Sequence, residues 1–110
     1  MMKMRILVAA SAAFLAVPAL AADVAKGEQL AQAQCAACHG KDFFSGVDPS
    51  YPKLAGQYPD YLEKALRYYQ TGARKNPIMA GLAKPLSRAD IQNVAAYLSR
   101  LPGPLGNEKR

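Results

Sequence analysis

The sequence of 110 residues contains no tryptophan, only one histidine and only two cysteines. A structural zinc site takes about four protein ligands and a catalytic site about three plus a water. Cys35, Cys38 and His39 are too few for a closed site, and no carboxylates cluster beside them in the sequence. The sequence also lacks strand-like alternation, internal repeats and any basic run interleaved with aromatic residues. These shortages disfavour a zinc protein, a β-rich fold and a nucleic-acid-binding protein.

The N-terminal segment has the features of an export signal. Lys3 and Arg5 precede an apolar run over residues 6–20, and the run ends in small residues that suit a signal-peptidase site after Ala21. The run is ~15 residues long, whereas crossing a bilayer takes roughly 20. We therefore expect residues 1–21 to be a cleaved secretory signal peptide, with no stable membrane insertion afterwards; a retained anchor is the weaker alternative.

The remaining residues 22–110 are enough for a single domain. Loss of Lys3 and Arg5 removes two positive charges and lowers the formal net charge from +6 to +4. The remaining basic residues form no block, which favours an ordinary solvated surface; a docking face for an acidic partner is the alternative. A chain this short buries only ~60% of its extended surface, so we expect a staple or cofactor to complete the core. Residues 102–110 are predicted to form a flexible tail.

Three segments have helical patterns, which predict an all-α domain. The first helix is expected over residues 23–33, and the second over 59–70, between Pro59 and Gly72. The third is expected from the capping box of Ser87 and Asp90 as far as residue 101. The segments 41–56 and 73–86 are rich in turn-forming residues and are predicted to be loops. The apolar positions expected to face the core are Gly27, Leu30, Ala31, Leu62, Leu66, Tyr69, Ile91, Val94, Ala95, Leu98 and Leu101.

The run Cys35-Ala36-Ala37-Cys38-His39 carries the most specific chemical signal. Two cysteines at this spacing are compatible with a disulfide, a redox dithiol, half of a zinc site or haem attachment. A thioredoxin-like dithiol needs a βαβ context, which the helical pattern disfavours. Haem attachment needs two thiols for two vinyl groups of one porphyrin and an imidazole directly afterwards for the iron. The run meets that requirement and predicts one covalent haem c.

An electron-carrying haem needs a sixth iron ligand, which is usually His or Met. His39 is the only histidine, so the chain cannot supply a second imidazole. Once the predicted signal peptide is removed, Met79 is the only methionine left. A single methionine more often fills a core, but Met79 is predicted to lie in a loop between Pro77 and Gly81. We therefore expect His39 and Met79 to be the two axial ligands.

Together these features resemble a class I c-type cytochrome of the bacterial periplasmic mono-haem type, similar to one half of a di-haem cytochrome c4 or to cytochrome c553. The resemblance covers residues 23–101 and implies a small cytochrome c fold of three to five helices around one haem, in the periplasm. It implies that Gly27 permits a close crossing of the first and last helices and that Tyr97 packs there. It also implies that the Pro52 carbonyl accepts a hydrogen bond from His39 and that Leu54 packs on the porphyrin.

The sequence departs from the family in having no tryptophan to bind a haem propionate, a role open to Tyr68, Tyr69 or Arg74. The function that the resemblance implies is single-electron transfer, without catalytic residues, between redox proteins that dock at the exposed haem edge near Cys35 and Cys38. The protein would act as a monomeric carrier or, alternatively, as a subunit of a periplasmic dehydrogenase or oxidase complex. A gas-binding haem protein is a minor alternative.

Overall fold

The computed structural model describes residues 21–103, so the predicted signal peptide before Ala21 and the tail beyond Gly103 lie outside the described residues. Within this range the chain forms helices and no strand, which confirms the all-α fold. No helix among the described residues has the length and apolar character needed to cross a membrane. In chain order the helices are α1 (Val24–Gln34), α2 (Ala36–His39), α3 (Pro59–Thr71), α4 (Pro77–Ala83) and α5 (Arg88–Ser99).

The helix starts follow from residues that satisfy the first free N–H groups. Asp23 Oδ1 accepts the Lys26 N–H of α1 at 3.1 Å. Ser87 and Asp90 form the predicted capping box of α5, with two reciprocal hydrogen bonds of 3.0 Å. At the other end of α3, Gly72 adopts a left-handed conformation with φ 81° and ends the helix. The three predicted helices are thus confirmed to within two residues at each end.

The predicted loop over residues 73–86 is wrong in its middle, because it contains α4. Asn76 is an N-cap whose side-chain oxygen accepts the N–H groups of Ile78 and Met79, both at 3.1 Å. Pro77 occupies the first helical turn, where it costs no hydrogen bond. Met79 therefore lies on a short helix and not in a loop. Pro77 and Gly81 suggested a break, but in this context Pro77 starts the helix and Gly81 is tolerated within it.

The first and last helices cross at very short range at Gly27. A Cβ atom built on Gly27 would lie 2.0 Å from the Asn93 carbonyl oxygen of α5. The three nearest atoms there belong to the backbone of Asn93 and Val94. Asn93 also accepts the Asp23 N–H through its side-chain oxygen at 2.8 Å. Glycine is needed because any side chain would push the two backbones apart.

The core lies between α1, α3, α5 and the loop that follows α2. It buries most of the apolar stripe predicted for α5 together with two residues from the loop, Phe43 and Ala55, which are both fully buried. The loop ends against α5, where the Gly56 N–H donates to the Leu98 carbonyl at 2.9 Å. The buried members of the cluster are Ala31, Phe43, Ala55, Leu62, Val94, Ala95, Tyr97 and Leu98.

Phe43 also organises the loop through its backbone. It is the only non-glycine residue with positive φ in the part of the chain described, at 59°. Its carbonyl accepts the N–H groups of Leu54 at 2.7 Å and Ala55 at 3.1 Å, and its ring packs edge-on against Tyr97 at 5.9 Å. A phenylalanine in this conformation is unusual, so the burial of the ring and these hydrogen bonds hold the backbone there.

We expect Gly27→Ala to lower the free energy of unfolding by about 3 kcal/mol or more, because the new methyl group meets backbone that cannot move independently of α5. Gly81→Ala is the matched control: a Cβ there has no neighbour within 4 Å. The control should gain about 0.5–1 kcal/mol from helix propensity. Urea unfolding followed by circular dichroism measures both, and equal stability of the two variants would contradict the close crossing.

We expect Phe43→Ala to cost about 3–5 kcal/mol, since it removes a fully buried ring and the packing that holds the loop. Phe44→Ala is the neighbouring control, because the Phe44 side chain is 37% exposed. That change should cost at most about 1 kcal/mol. A similar loss of unfolding free energy in both variants would show that Phe43 has no special part in the loop.

Candidate functional site

A cavity of about 650 Å³ opens between α1, α3, α4 and the loop after α2. This volume falls within the range of roughly 300–1,000 Å³ that is usual for cofactor pockets. Every site residue predicted from the sequence lines it, although they come from three separate parts of the chain. These residues are Cys35, Cys38, His39, Pro52, Leu54 and Met79.

One wall of the cavity is the turn between α1 and α2, which carries both cysteines. Cys35 ends α1 and begins α2, and its carbonyl accepts the His39 N–H at 3.0 Å. This single helical turn brings both thiols and the imidazole to the same cavity. Burial, and secondarily the nearby Cys38, raise the pKa of the Cys35 thiol.

His39 is held in one orientation by the loop opposite it. Its side chain is 6% exposed, and its Nδ1 lies 2.9 Å from the Pro52 carbonyl oxygen. A carbonyl can only accept, so Nδ1 must carry a proton, and in the neutral imidazole the lone pair is then on Nε2. The Tyr51 ring lies edge-on at 6.0 Å and limits rotation of the imidazole. His39 is therefore oriented so that Nε2 is the ring nitrogen not bonded to Pro52.

The position of the Pro52 carbonyl depends on residues that sequence reasoning did not identify. The Phe43 carbonyl accepts the N–H groups of Leu54 and Ala55, two and three residues after Pro52. Asp42 fixes the turn over residues 42–45, at the start of the same loop, because its Oδ1 accepts the N–H groups of Ser45 at 2.8 Å and Phe44 at 3.1 Å. The hydrogen bonds from Ser45, and then from Phe44, lower the pKa of the Asp42 carboxyl. No residue pattern in the sequence indicates the positive φ of Phe43, on which this arrangement rests.

The wall that contains Met79 is the helix α4. Met79 is half-buried and lines the cavity. Ile78 and Leu82 of the same helix also line the cavity but are more exposed. Gln70 of α3 secures this wall, because its Nε2 donates to the carbonyls of Ala83 and Leu86, both at 2.8 Å. The thioether is therefore presented by a capped helix that is tied to α3.

The remaining polar lining suits a group that is apolar at its centre and anionic at its edge. Among the described residues, the charged side chains at the cavity are Lys53, Arg74 and Lys75, and none is a carboxylate. Arg74 stacks over the Tyr69 ring at 5.0 Å, and both line the cavity, whereas Tyr68 does not. A haem has an apolar macrocycle and two carboxylates, so the donor set, the volume and the charge all fit it.

The chain is similar to several known c-type cytochromes and electron-acceptor proteins. Cytochrome c-554(548) of Halomonas halodenitrificans is 43% identical over 82 residues, which are 72% of this chain and 96% of that protein. The thiosulfate dehydrogenase electron acceptor of Thiomonas intermedia is 46% identical over 69 residues, 63% of this chain and 32% of that protein. A solved cytochrome c4 of Acidithiobacillus ferrooxidans superposes with a TM-score of 0.64 at 35% identity, covering 73% of this chain and 50% of that one.

Several of these relatives are longer proteins. The chain spans 32% and 46% of the two thiosulfate dehydrogenase electron acceptors that it matches, from Thiomonas intermedia and Stutzerimonas stutzeri. The family profile described as Cytochrome c matches residues 24–102, which is well over half of the sequence. The chain therefore belongs to the cytochrome c family and carries one haem c bound covalently through Cys35 and Cys38.

Proposed function

We propose that this protein is a single-electron carrier whose haem iron is bound by His39 Nε2 on one side and Met79 Sδ on the other. The observation that carries the proposal is the 2.9 Å contact between His39 Nδ1 and the Pro52 carbonyl. That contact leaves Nε2 free to bind iron in a cavity that Met79 also lines. When bound, the haem supplies an iron that cycles between the ferrous and ferric states.

The residues around the iron set how readily it accepts an electron. The Pro52 carbonyl fixes the His39 tautomer and strengthens Nε2 as a donor. A methionine thioether favours ferrous iron and raises the reduction potential relative to bis-histidine ligation. Leu54, Leu30 and Leu66 are half-buried at the cavity, where they exclude water and disfavour the additional charge of the ferric form. The protein thus acts as an electron-transfer protein rather than as an enzyme.

The proposed location is the periplasm, reached by export and cleavage of residues 1–21. The apolar run over residues 6–20 and the small residues up to Ala21 support it. Covalent haem attachment agrees with an exported protein. N-terminal sequencing of the mature protein should begin at Ala22, and a retained Met1 would contradict cleavage.

A second candidate function is that of an electron-transfer subunit in a dehydrogenase or oxidase complex. It is favoured by the similarity to electron acceptors named for thiosulfate dehydrogenase. It is also favoured by Ile78 and Leu82, which are 60% and 36% exposed beside the cavity. A subunit should co-purify with its complex at moderate salt, whereas a free carrier should dissociate as salt screens its contacts.

The proposed ligation predicts a clear difference between two neighbouring residues of α4. In the holoprotein, Met79→Ala should abolish the weak far-red absorption band of sulfur bound to ferric iron and lower the midpoint potential, because the thioether no longer stabilises ferrous iron. Ile78→Ala is the control and should keep the band. Visible absorption spectroscopy and redox titration provide both readouts.

The absence of the far-red band in the wild-type protein would favour a different function. A wild-type protein that is high-spin and lacks the far-red band would have no Met79–iron bond. That result would favour the gas-binding alternative, which needs an open or easily displaced sixth coordination position on the iron.

A further inference from the structure

Little apolar burial holds the helix α4 in place. The helix packs mainly against α3, and over residues 77–86 Ala83 is the one residue that is fully buried. Met79 is half-buried, and a Cβ atom on Gly81 would meet nothing within 4 Å. A short helix with so few buried apolar side chains opens more easily than the core beside it. Polar contacts therefore matter more for this helix than for the others.

Gln70 of α3 makes the polar contact that fastens α4. Its Nε2 donates one hydrogen to the Ala83 carbonyl and one to the Leu86 carbonyl, both at 2.8 Å. Because a carbonyl oxygen can only accept, both amide hydrogens are used and the orientation of the amide is fixed. Ala83 and Leu86 line the haem cavity, whereas Gln70 does not. Gln70 thus holds the cavity wall from behind, without contact with the cofactor space.

The two hydrogen bonds act on the part of α4 that carries Met79. The last carbonyls of a helix have no partner within it, and those at the end of α4 are the ones that Gln70 binds. Asn76 caps the opposite end. Met79 lies between the two fastened ends, four residues before Ala83 and so on the same face of the helix. A movement at Ala83 is therefore passed directly to Met79.

We propose that Gln70 is the positioning residue for Met79: its amide keeps α4 closed, which holds the thioether on the iron and keeps other ligands off it. The proposal rests on the proposed His39 and Met79 ligation and adds the residue that sets how firmly the second ligand is held. A ligand with rigid support keeps the same geometry in the ferrous and ferric states, as electron transfer requires.

The expected size of the effect follows from the opening of α4. Imidazole reaches the ferric iron only after the thioether has left it, so its apparent affinity is its intrinsic affinity multiplied by the open fraction. Two hydrogen bonds of ordinary net strength lower that fraction about 10- to 100-fold. Loss of the Gln70 amide should therefore raise the apparent imidazole affinity by the same factor.

The test is imidazole titration of the ferric holoprotein, followed by loss of the far-red band. Gln70→Glu keeps the size of the side chain, but its ionised carboxylate cannot donate and is repelled by the two carbonyls. Arg67 and Arg88 line a shallow hollow together with Gln70 and would attract the carboxylate away from α4. Imidazole affinity should rise about 10- to 100-fold in this variant.

The matched control is Gln92→Glu on α5. Gln92 lines the same hollow as Gln70 and is also half-buried, but the carbonyls of Ala83 and Leu86 are bound by Gln70 instead. The control makes the same change in charge in the same place, and its imidazole affinity should stay within about two-fold of wild type. Equal imidazole affinities in the Gln70 and Gln92 variants would overturn the proposal.

A double-mutant cycle with Met79→Ala shows whether Gln70 acts through the thioether. In the Met79→Ala background the iron has no thioether to lose, so adding Gln70→Glu should change imidazole affinity by less than about two-fold. A change as large as in the wild-type background would mean that Gln70 controls access to the cavity in general, which contradicts a positioning role. Failure of the proposed ligation reads differently, because Met79→Ala alone would then leave imidazole affinity unchanged.

Gln70→Ala separates positioning from loss of fold. This variant adds no charge and still removes both donors, so it should also bind imidazole at least about ten-fold more tightly. On warming the ferric holoprotein, its far-red band should disappear at a lower temperature than in wild type, while the helical circular dichroism persists. Simultaneous loss of both signals, with wild-type imidazole affinity in the folded protein, would show that Gln70 only stabilises the domain and would overturn the proposal.

Discussion

The close crossing of α1 over α5 at Gly27 is the contact on which the rest of the structure depends. α1 runs directly into Cys35, and α5 receives the end of the following loop through the hydrogen bond from Gly56 to Leu98. The separation of these two helices therefore sets how far the cysteine-bearing turn lies from the loop that contains Pro52. A side chain at Gly27 would move one wall of the haem cavity relative to the other.

The chemistry of the site depends on backbone groups more than on unusual side chains. The Pro52 carbonyl orients His39. The Phe43 carbonyl holds the backbone of Leu54 and Ala55 shortly after Pro52. The Cys35 carbonyl accepts the His39 N–H and so closes the turn that contains the imidazole. Backbone groups move little once both neighbouring segments are packed, so they hold a metal ligand with small reorganisation during electron transfer. The buried ring of Phe43 supplies that packing.

The same architecture relates the interior of the domain to its surface. α4 carries Met79 toward the cavity and leaves Ile78 and Leu82 exposed, and Gln70 ties the helix to α3. The helix that contributes to the cofactor cavity thus also presents apolar side chains to the surface beside it.

The sequence by itself determined the cofactor chemistry, three helices and their caps. One Cys-x-x-Cys-His run, one histidine and one methionine after the predicted signal peptide leave little choice for the proposed ligands, and caps such as Ser87 with Asp90 act within a few residues. Only the tertiary structure decided that Met79 lies on α4, that Phe43 has positive φ and that the Asn93 carbonyl faces Gly27. Those features come from contacts between residues distant in sequence, whose energies local patterns do not contain.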